Sequence, residues 1–172
     1  MMSGLQARVQ ILTESNPDPS TAITTLNRNL VGKFPLGRFI TAFFSVLEPR
    51  SGALEYANAG HNYPLVLRTD GQIEELRGGN MVLGLFPDIN YPLLQTKLNP
   101  GDLLVLYSDG VTEAAQPSGE QFGEQRAAEF LRGNLDLRCR ELVAKLVTHV
   151  RSWSGATAFA DDFTLVLVRR AA

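Results

Sequence analysis

Leu103-Leu104-Val105-Leu106-Tyr107-Ser108-Asp109-Gly110 is the stretch on which the fold of this chain turns. Its apolar run does not alternate, which predicts a strand covered on both faces, and Ser108-Asp109-Gly110 closes it with turn-forming residues. A second signature, Asp161-Asp162, stands immediately ahead of Phe163-Thr164-Leu165-Val166-Leu167-Val168. Each puts a carboxylate at a strand end, outside the apolar interior. Two such ends can bring hard oxygen ligands to one divalent cation, which makes phosphate chemistry the leading expectation.

Working outward, Asn99-Pro100-Gly101-Asp102 has the proline and glycine order of a type II turn, and Tyr91 to Leu98 reads as the strand before it. Further upstream, Phe39 to Leu47 suits a buried strand that Glu48-Pro49-Arg50-Ser51-Gly52 turns into Leu54 to Asn58. Tyr63 to Arg68 and Gln72 to Leu76 flank Thr69-Asp70-Gly71, where Asp-Gly is a hairpin signal. Residues 38–115 therefore read as a mostly antiparallel β region.

Helical patterns lie on either side of it. Met2, Leu5, Val9 and Leu12 recur at helical spacing, as do Ile23, Leu26 and Leu30 after Asp18-Pro19, an N-cap followed by proline at the first helical position. They predict a helical hairpin over about 1–33, joined through Asn16-Pro17. Glu124 to Leu131 and Leu137 to Trp153 predict a helical pair over 123–154, the second with Cys139, Leu142, Val143, Leu146, Val150 and Trp153 on one side. Residues 162–169 form the last strand, with Phe163 to Val168 closing the fold as a central strand. No repeat or linker divides it, and 1–172 reads as one domain.

The 172 residues are 44% hydrophobic with a net charge of -2. That composition supports a packed core and provides no basic field for nucleic acid or an anionic membrane. The single cysteine, Cys139, has no internal disulfide partner and falls on the apolar side of its helix, as in a reducing compartment. No apolar run reaches the ~18 residues of a membrane span, and the N-terminus has no signal-peptide pattern. A cytoplasmic protein is expected.

The order of motifs carries a resemblance. Arg38-Phe39-Ile40-Thr41, Gly52-Ala53-Leu54-Glu55-Tyr56-Ala57-Asn58-Ala59-Gly60-His61-Asn62, Leu83-Gly84, Pro100-Gly101-Asp102 running through Ser108-Asp109-Gly110 to Ala114, Phe122-Gly123 and Asp161-Asp162-Phe163-Thr164 stand in one series. The series resembles the bacterial sporulation-stage-II-protein-E-like serine phosphatases, of the metal-dependent protein phosphatase superfamily that includes protein phosphatase 2C. The likeness runs from about Met1 to Arg169.

The resemblance implies an α+β fold: a four-layer α-β-β-α sandwich of two antiparallel sheets flanked by helix pairs. It also implies a dinuclear Mn2+ or Mg2+ site, with Asp109 and Asp161 as direct ligands and Asp162 in support. The reaction implied is hydrolysis of phosphoserine or phosphothreonine by a metal-activated water, with no covalent intermediate. The substrate class implied is a small phosphorylated regulatory protein, of the anti-anti-sigma-factor type, in sigma-factor regulation. An upstream sensor or receiver domain, as in response regulators, would act through the first two helices, Ser3 to Ser15 and Ser20 to Val31.

Alone, Ser108-Asp109-Gly110 is more simply a turn and Asp161-Asp162 a solvated strand start; their occurrence within the whole series reverses both readings. His61 is either a proton donor to the leaving oxygen or a hydrogen-bonded loop residue, and the structural role is preferred. Arg38 either reaches a phosphate bidentately or pairs with a surface carboxylate, and the two readings stand level. Gly60, Gly84, Gly110 and Gly123 are read as backbone geometry, Glu113 as a surface acid and His149 as a helix-face residue.

Against the family pattern, the β segment and the Asp-Gly motif whose aspartate bridges both metals have no counterpart in the sequence. The expectation is an N-terminally truncated domain with an incomplete metal shell and little activity as an isolated chain. An unpaired sheet edge would then favour a homodimer. The alternative function is a noncatalytic phosphatase-like domain that binds a regulatory partner.

Overall fold

The structure, a computed structural model, describes residues 9–10, 12, 18–35, 37–155, 159 and 161–171. The described residues contain seven strands, β1 (Ala42–Leu47), β2 (Ala53–Ala59), β3 (Leu65–Leu67), β4 (Ile73–Glu75), β5 (Leu94–Lys97), β6 (Leu103–Tyr107) and β7 (Leu165–Arg169). Four helices are described over their whole length, α1 (Pro19–Leu30), α2 (Asp109–Thr112), α3 (Gly123–Arg132) and α4 (Cys139–Ser154). All strand pairs are antiparallel and fall into two sheets, so the class is α+β as expected. Two compact units interleave along the chain, Met1–His61 with Gly78–Lys97 and Asn62–Arg77 with Leu98–Ala172. No helix among the described residues is long and apolar enough to cross a membrane.

In the first unit the sheet order is β1-β2-β5, with Ala42 opposite Ala59 and Leu47 opposite Leu54. Helix α1 covers this sheet with Ile23, Leu26 and Leu30, buried against Ala57, Ala59, Leu83 and Tyr91. Val9, Gln10 and Leu12 are helical; the rest of the first expected helix and the Asn16-Pro17 joint lie outside the described residues.

The other stripe of α1 is polar and also used. Ser20 donates to the Tyr91 carbonyl, Thr24 Oγ1 accepts from the Tyr91 N–H at 3.4 Å, and fully buried Asn27 takes two bonds. Its Oδ1 accepts from the Gly84 N–H at 2.9 Å and its Nδ2 donates to the Phe86 carbonyl at 2.7 Å. These bonds explain why the strand expected over Tyr91 to Leu98 is shorter. The backbone of Tyr91 is committed to the helix, and pairing with β2 starts only at Leu94.

Helix α1 starts as its sequence predicts. Asp18 Oδ1 accepts from the Thr21 N–H at 2.9 Å and Oδ2 from the Thr21 hydroxyl at 2.6 Å, with Pro19 at the first helical position. The Thr21 hydroxyl, then the Thr21 N–H, hold the Asp18 carboxyl below its ordinary value of 3.8. A lowered carboxyl stabilises the fold above its unfolded value, and the contribution fades as pH falls through the folded one. Asp18→Ala is expected to cost about 1 kcal/mol near neutral pH. Melting curves of the two proteins should converge in acid below the folded value; a gap that persists there would refute the charge-based share of the cap.

The second unit has the sheet order β4-β3-β6-β7. β6 lies between β3 and β7, and Leu103, Leu104, Val105 and Tyr107 are buried, as the unbroken apolar run predicts. Helices α3 and α4 pack Ala127, Leu131, Leu142, Leu146 and Val150 into one cluster with Leu65, Leu67, Leu103, Val105 and Phe122. Cys139 is half-buried against that cluster, and Arg126 lies 4.2 Å over the Trp153 ring.

The last strand departs from expectation. β7 is an edge strand of the described sheet, not a central one, and Val166 is exposed. It also starts later, at Leu165 opposite Tyr107, because the Thr164 N–H goes to the Ser108 hydroxyl instead of a ladder carbonyl.

The turn before β6 has the predicted geometry, with Gly101 at φ 89° and the Asp102 N–H on the Asn99 carbonyl at 3.0 Å. Asp102, 1% exposed, ties it to the β3–β4 hairpin. Its carboxylate accepts from the Asn99 N–H at 2.8 Å, from Arg68 Nη1 at 2.6 Å and from the Thr69 N–H at 3.3 Å. Arg68 pairs with Glu74 as well.

Candidate metal centre

Asp109 comes off the end of β6 as the first residue of α2, a single helical turn. Its Oδ1 accepts from the Gly110 N–H at 3.0 Å. Asp161 repeats this arrangement, with Oδ1 accepting from the Asp162 N–H at 2.7 Å. One oxygen of each carboxylate is thus oriented by the next backbone amide, which leaves the second oxygen to meet a cation. Asp109, Asp161 and Asp162 are all exposed, so solvent screens their mutual repulsion.

Two features bring the acidic segments together. The first is Gly110. A Cβ built there would lie 2.5 Å from the Asp162 carbonyl oxygen, 3.0 Å from its carbon and 3.5 Å from the Asp161 carbonyl carbon. The backbone of the acidic pair rests against Gly110, where no larger residue fits without displacing it. The second is Ser108, whose hydroxyl donates to the Asp162 carbonyl at 2.8 Å and accepts from the Thr164 N–H at 2.9 Å. The Ser108 N–H donates in turn to the Thr164 carbonyl at 3.0 Å.

The ends of this locus are packed. Phe163 stacks on Phe159 with centroids 4.2 Å apart, and Arg151 of α4 lies 5.0 Å over the Phe159 ring. Tyr107 is buried and its hydroxyl donates to Glu124 at 3.3 Å. Burial first, and then the Glu124 carboxylate, push its phenol far above the ordinary 10.0. It stays neutral beside the acidic segment.

Arg38 and His61 belong to the first unit. Asn58, 1% exposed, brackets His61: its Nδ2 donates to the His61 carbonyl at 2.9 Å and its Oδ1 accepts from the His61 N–H at 2.8 Å. His61 Nδ1 lies 3.4 Å from Thr41 Oγ1. Arg38 is exposed and enters no ion pair among the described residues. Neither Asn58 nor the Ser108 hydroxyl stood out in the sequence. The available signals were an Asn three residues before the histidine and a serine at a strand end, both patterns of side-chain-to-backbone bonding.

The donors fit a divalent cation in kind, since carboxylate oxygens are what Mn2+ and Mg2+ take. Among the described residues, no three His, Cys, Asp or Glu side chains gather as a metal-binding group.

The family model described as Stage II sporulation protein E (SpoIIE) matches residues 1–171. Protein IcfG of Synechocystis is 33% identical over 138 residues, 78% of this chain and 21% of that protein. The phosphoserine phosphatase RsbU of Bacillus subtilis is 28% identical over 171 residues, 98% of this chain and 50% of that protein. The chain therefore spans at most half the length of these relatives. Among solved structures, the PP2C phosphatase domain of Bacillus subtilis SpoIIE with a fragment of its regulatory domain superposes with a TM-score of 0.80. Identity there is 22%, over 97% of this chain and 48% of that one. The catalytic domain of the serine/threonine phosphatase PstP, solved with two manganese ions, superposes at 0.69 with 15% identity, over 98% of this chain and 79% of that one. With the family model matching nearly its whole length, and with the fold of PP2C phosphatase domains, the chain belongs to the Stage II sporulation protein E (SpoIIE) family.

Proposed function

We propose that this chain is the phosphatase module of a bacterial signalling protein. It would hydrolyse phosphoserine or phosphothreonine on a small regulatory protein, of the anti-anti-sigma-factor type, with Mn2+ or Mg2+ as cofactor. The observation that carries this reading is the contact between the Asp109 turn and the Asp161-Asp162 backbone at Gly110. It joins the ends of two strands that are neighbours in one sheet. The names of RsbU and PstP, and the two manganese ions of the latter, support the reaction class. A solved structure of the RsbU and RsbW domains of one Mycobacterium tuberculosis protein supports a regulatory protein as partner.

Asp109 and Asp161 would hold the cation through the oxygens not engaged by Gly110 and Asp162. A divalent cation there supplies charge neutralisation for the phosphoryl oxygens and lowers the pKa of the attacking water. Asp162 adds the negative charge of its exposed carboxylate. Its carbonyl, occupied by Ser108, serves the backbone. Asn58 holds the His61 loop in one geometry, which suits the structural role preferred for that histidine.

The test is release of inorganic phosphate from a phosphoserine-bearing regulatory protein, with and without Mn2+. Release that requires the metal supports the proposal. Stoichiometric binding of the phosphorylated protein with no phosphate released would support the noncatalytic alternative instead.

A further inference from the structure

Ser108 lies between the two acidic segments: its carbonyl accepts from the Val111 N–H of the Asp109 turn at 3.1 Å, and its hydroxyl and N–H bond to the second segment. Its hydroxyl spends its donor on the Asp162 carbonyl at 2.8 Å and an acceptor position on the Thr164 N–H at 2.9 Å, so it spans the residues that follow Asp161. The serine N–H reaches the Thr164 carbonyl at 3.0 Å. Three hydrogen bonds thus fasten residues 162–164 to the residue that immediately precedes Asp109. The ladder of β6 and β7 has already ended at Tyr107 and Leu165. Without the hydroxyl, the acidic segment would keep one backbone bond, its rest against Gly110 and the packing of Phe163 on Phe159 and the core cluster.

We infer that Ser108 is a positioning residue for the metal centre. Its hydroxyl latches the Asp161-Asp162 segment to the Asp109 turn and so sets the separation of the two carboxylates. The inference rests on the proposed metal-dependent reading of that site. The physical reason for its size is that a hard cation binds tightly only when its ligands are already held apart by the right distance. Groups that orient metal ligands typically change affinity by about 10–100-fold when removed. Ser108 is also extended, at φ -83° and ψ 163°, a conformation that threonine adopts readily. Ser108→Thr should therefore keep the latch.

Two readouts on the unchanged chain, Ser108→Ala and Ser108→Thr separate the possibilities. The first is exchange of the Thr164 amide in the metal-free proteins, which reads the latch without reference to any metal. The second is Mn2+ titration followed by paramagnetic broadening of the Gly110 and Asp162 amide resonances, which remains readable for weak binding. Ser108→Ala is expected to speed Thr164 exchange and to weaken Mn2+ binding by about 10-fold or more. Ser108→Thr should restore both. Unchanged Thr164 exchange in Ser108→Ala overturns the latch. Faster exchange with unchanged Mn2+ affinity overturns its role in the metal centre. Absence of broadening in the unchanged chain overturns the metal-dependent reading and the role built on it. The Thr164 exchange measured without metal tells that failure apart from failure of the latch.

Discussion

Replacing Asp109 with asparagine is expected to reduce Mn2+-dependent phosphate release by roughly 100- to 1,000-fold. The carboxamide preserves shape and can still accept from the Gly110 N–H through its oxygen, so the local backbone need not move. What it removes is the negative charge that holds a cation against water. Metal stabilisation of transition-state charge amounts to several kcal/mol, and each ~1.4 kcal/mol is a factor of ten in rate. Asp161→Asn should act alike, since its carboxylate has the same arrangement with the Asp162 N–H. The double variant should lose little more than either single one, because the two act as a unit. Asp70→Asn is the control: Asp70 is exposed and accepts from the Gln72 N–H in the β3–β4 turn. Phosphate release within about twofold of the unchanged protein in Asp109→Asn would remove Asp109 from the metal centre. Near-equal melting temperatures for all these variants are expected, because the residues are exposed.

The largest effect on stability is expected at Asp102. Asp102→Ala strips a 1% exposed carboxylate from Arg68 and from the amides of Asn99 and Thr69. Breaking one side of a buried pair costs roughly 3–5 kcal/mol, since the remaining partners are left desolvated. At about 2–4 °C per kcal/mol for a chain of this size, the melting temperature should fall by about 6–20 °C. Arg68 keeps Glu74 as a second partner, which places the loss toward the lower end. Asp102→Asn should fall between, because it retains an acceptor for the two amides but not the charge. Calorimetry of the three proteins decides it: a drop of less than about 2 °C in Asp102→Ala would mean that the turn is held by the Gly101 and Asn99 geometry alone.

These two acids show how differently sequence discloses function and stability. The place of Asp109 at the strand end was legible because Leu103 to Tyr107 is so apolar that the residue closing it had to leave the core, and the motif series makes it the proposed ligand. Asp102 occurs in a Pro-Gly-Asp turn and reads there as an ordinary turn residue. Its burial follows from Arg68, 34 positions earlier, and no local pattern announces a contact over that separation. The same holds for Asn27. It stands on a helix whose apolar residues Ile23, Leu26 and Leu30 were visible from spacing, but its carboxamide is spoken for by Gly84 and Phe86. Tyr91 to Leu98 misled because its composition suits a strand throughout. Side chains on α1 had already claimed the backbone of Tyr91.

By itself, the amino-acid sequence determined the α+β class, the antiparallel β region, the family and the two acidic strand ends. Periodicity, turn chemistry and motif order are local properties, written within a few residues of where they act. Only the tertiary structure decided that β7 is an edge strand, that Asp102 is buried, and that Ser108 and Gly110 hold the acidic segments together. Each depends on which distant backbone groups arrive at a given place. A hydroxyl or a missing Cβ has no fixed partner until the β6–β7 pairing brings residues 108 and 162 within 3 Å.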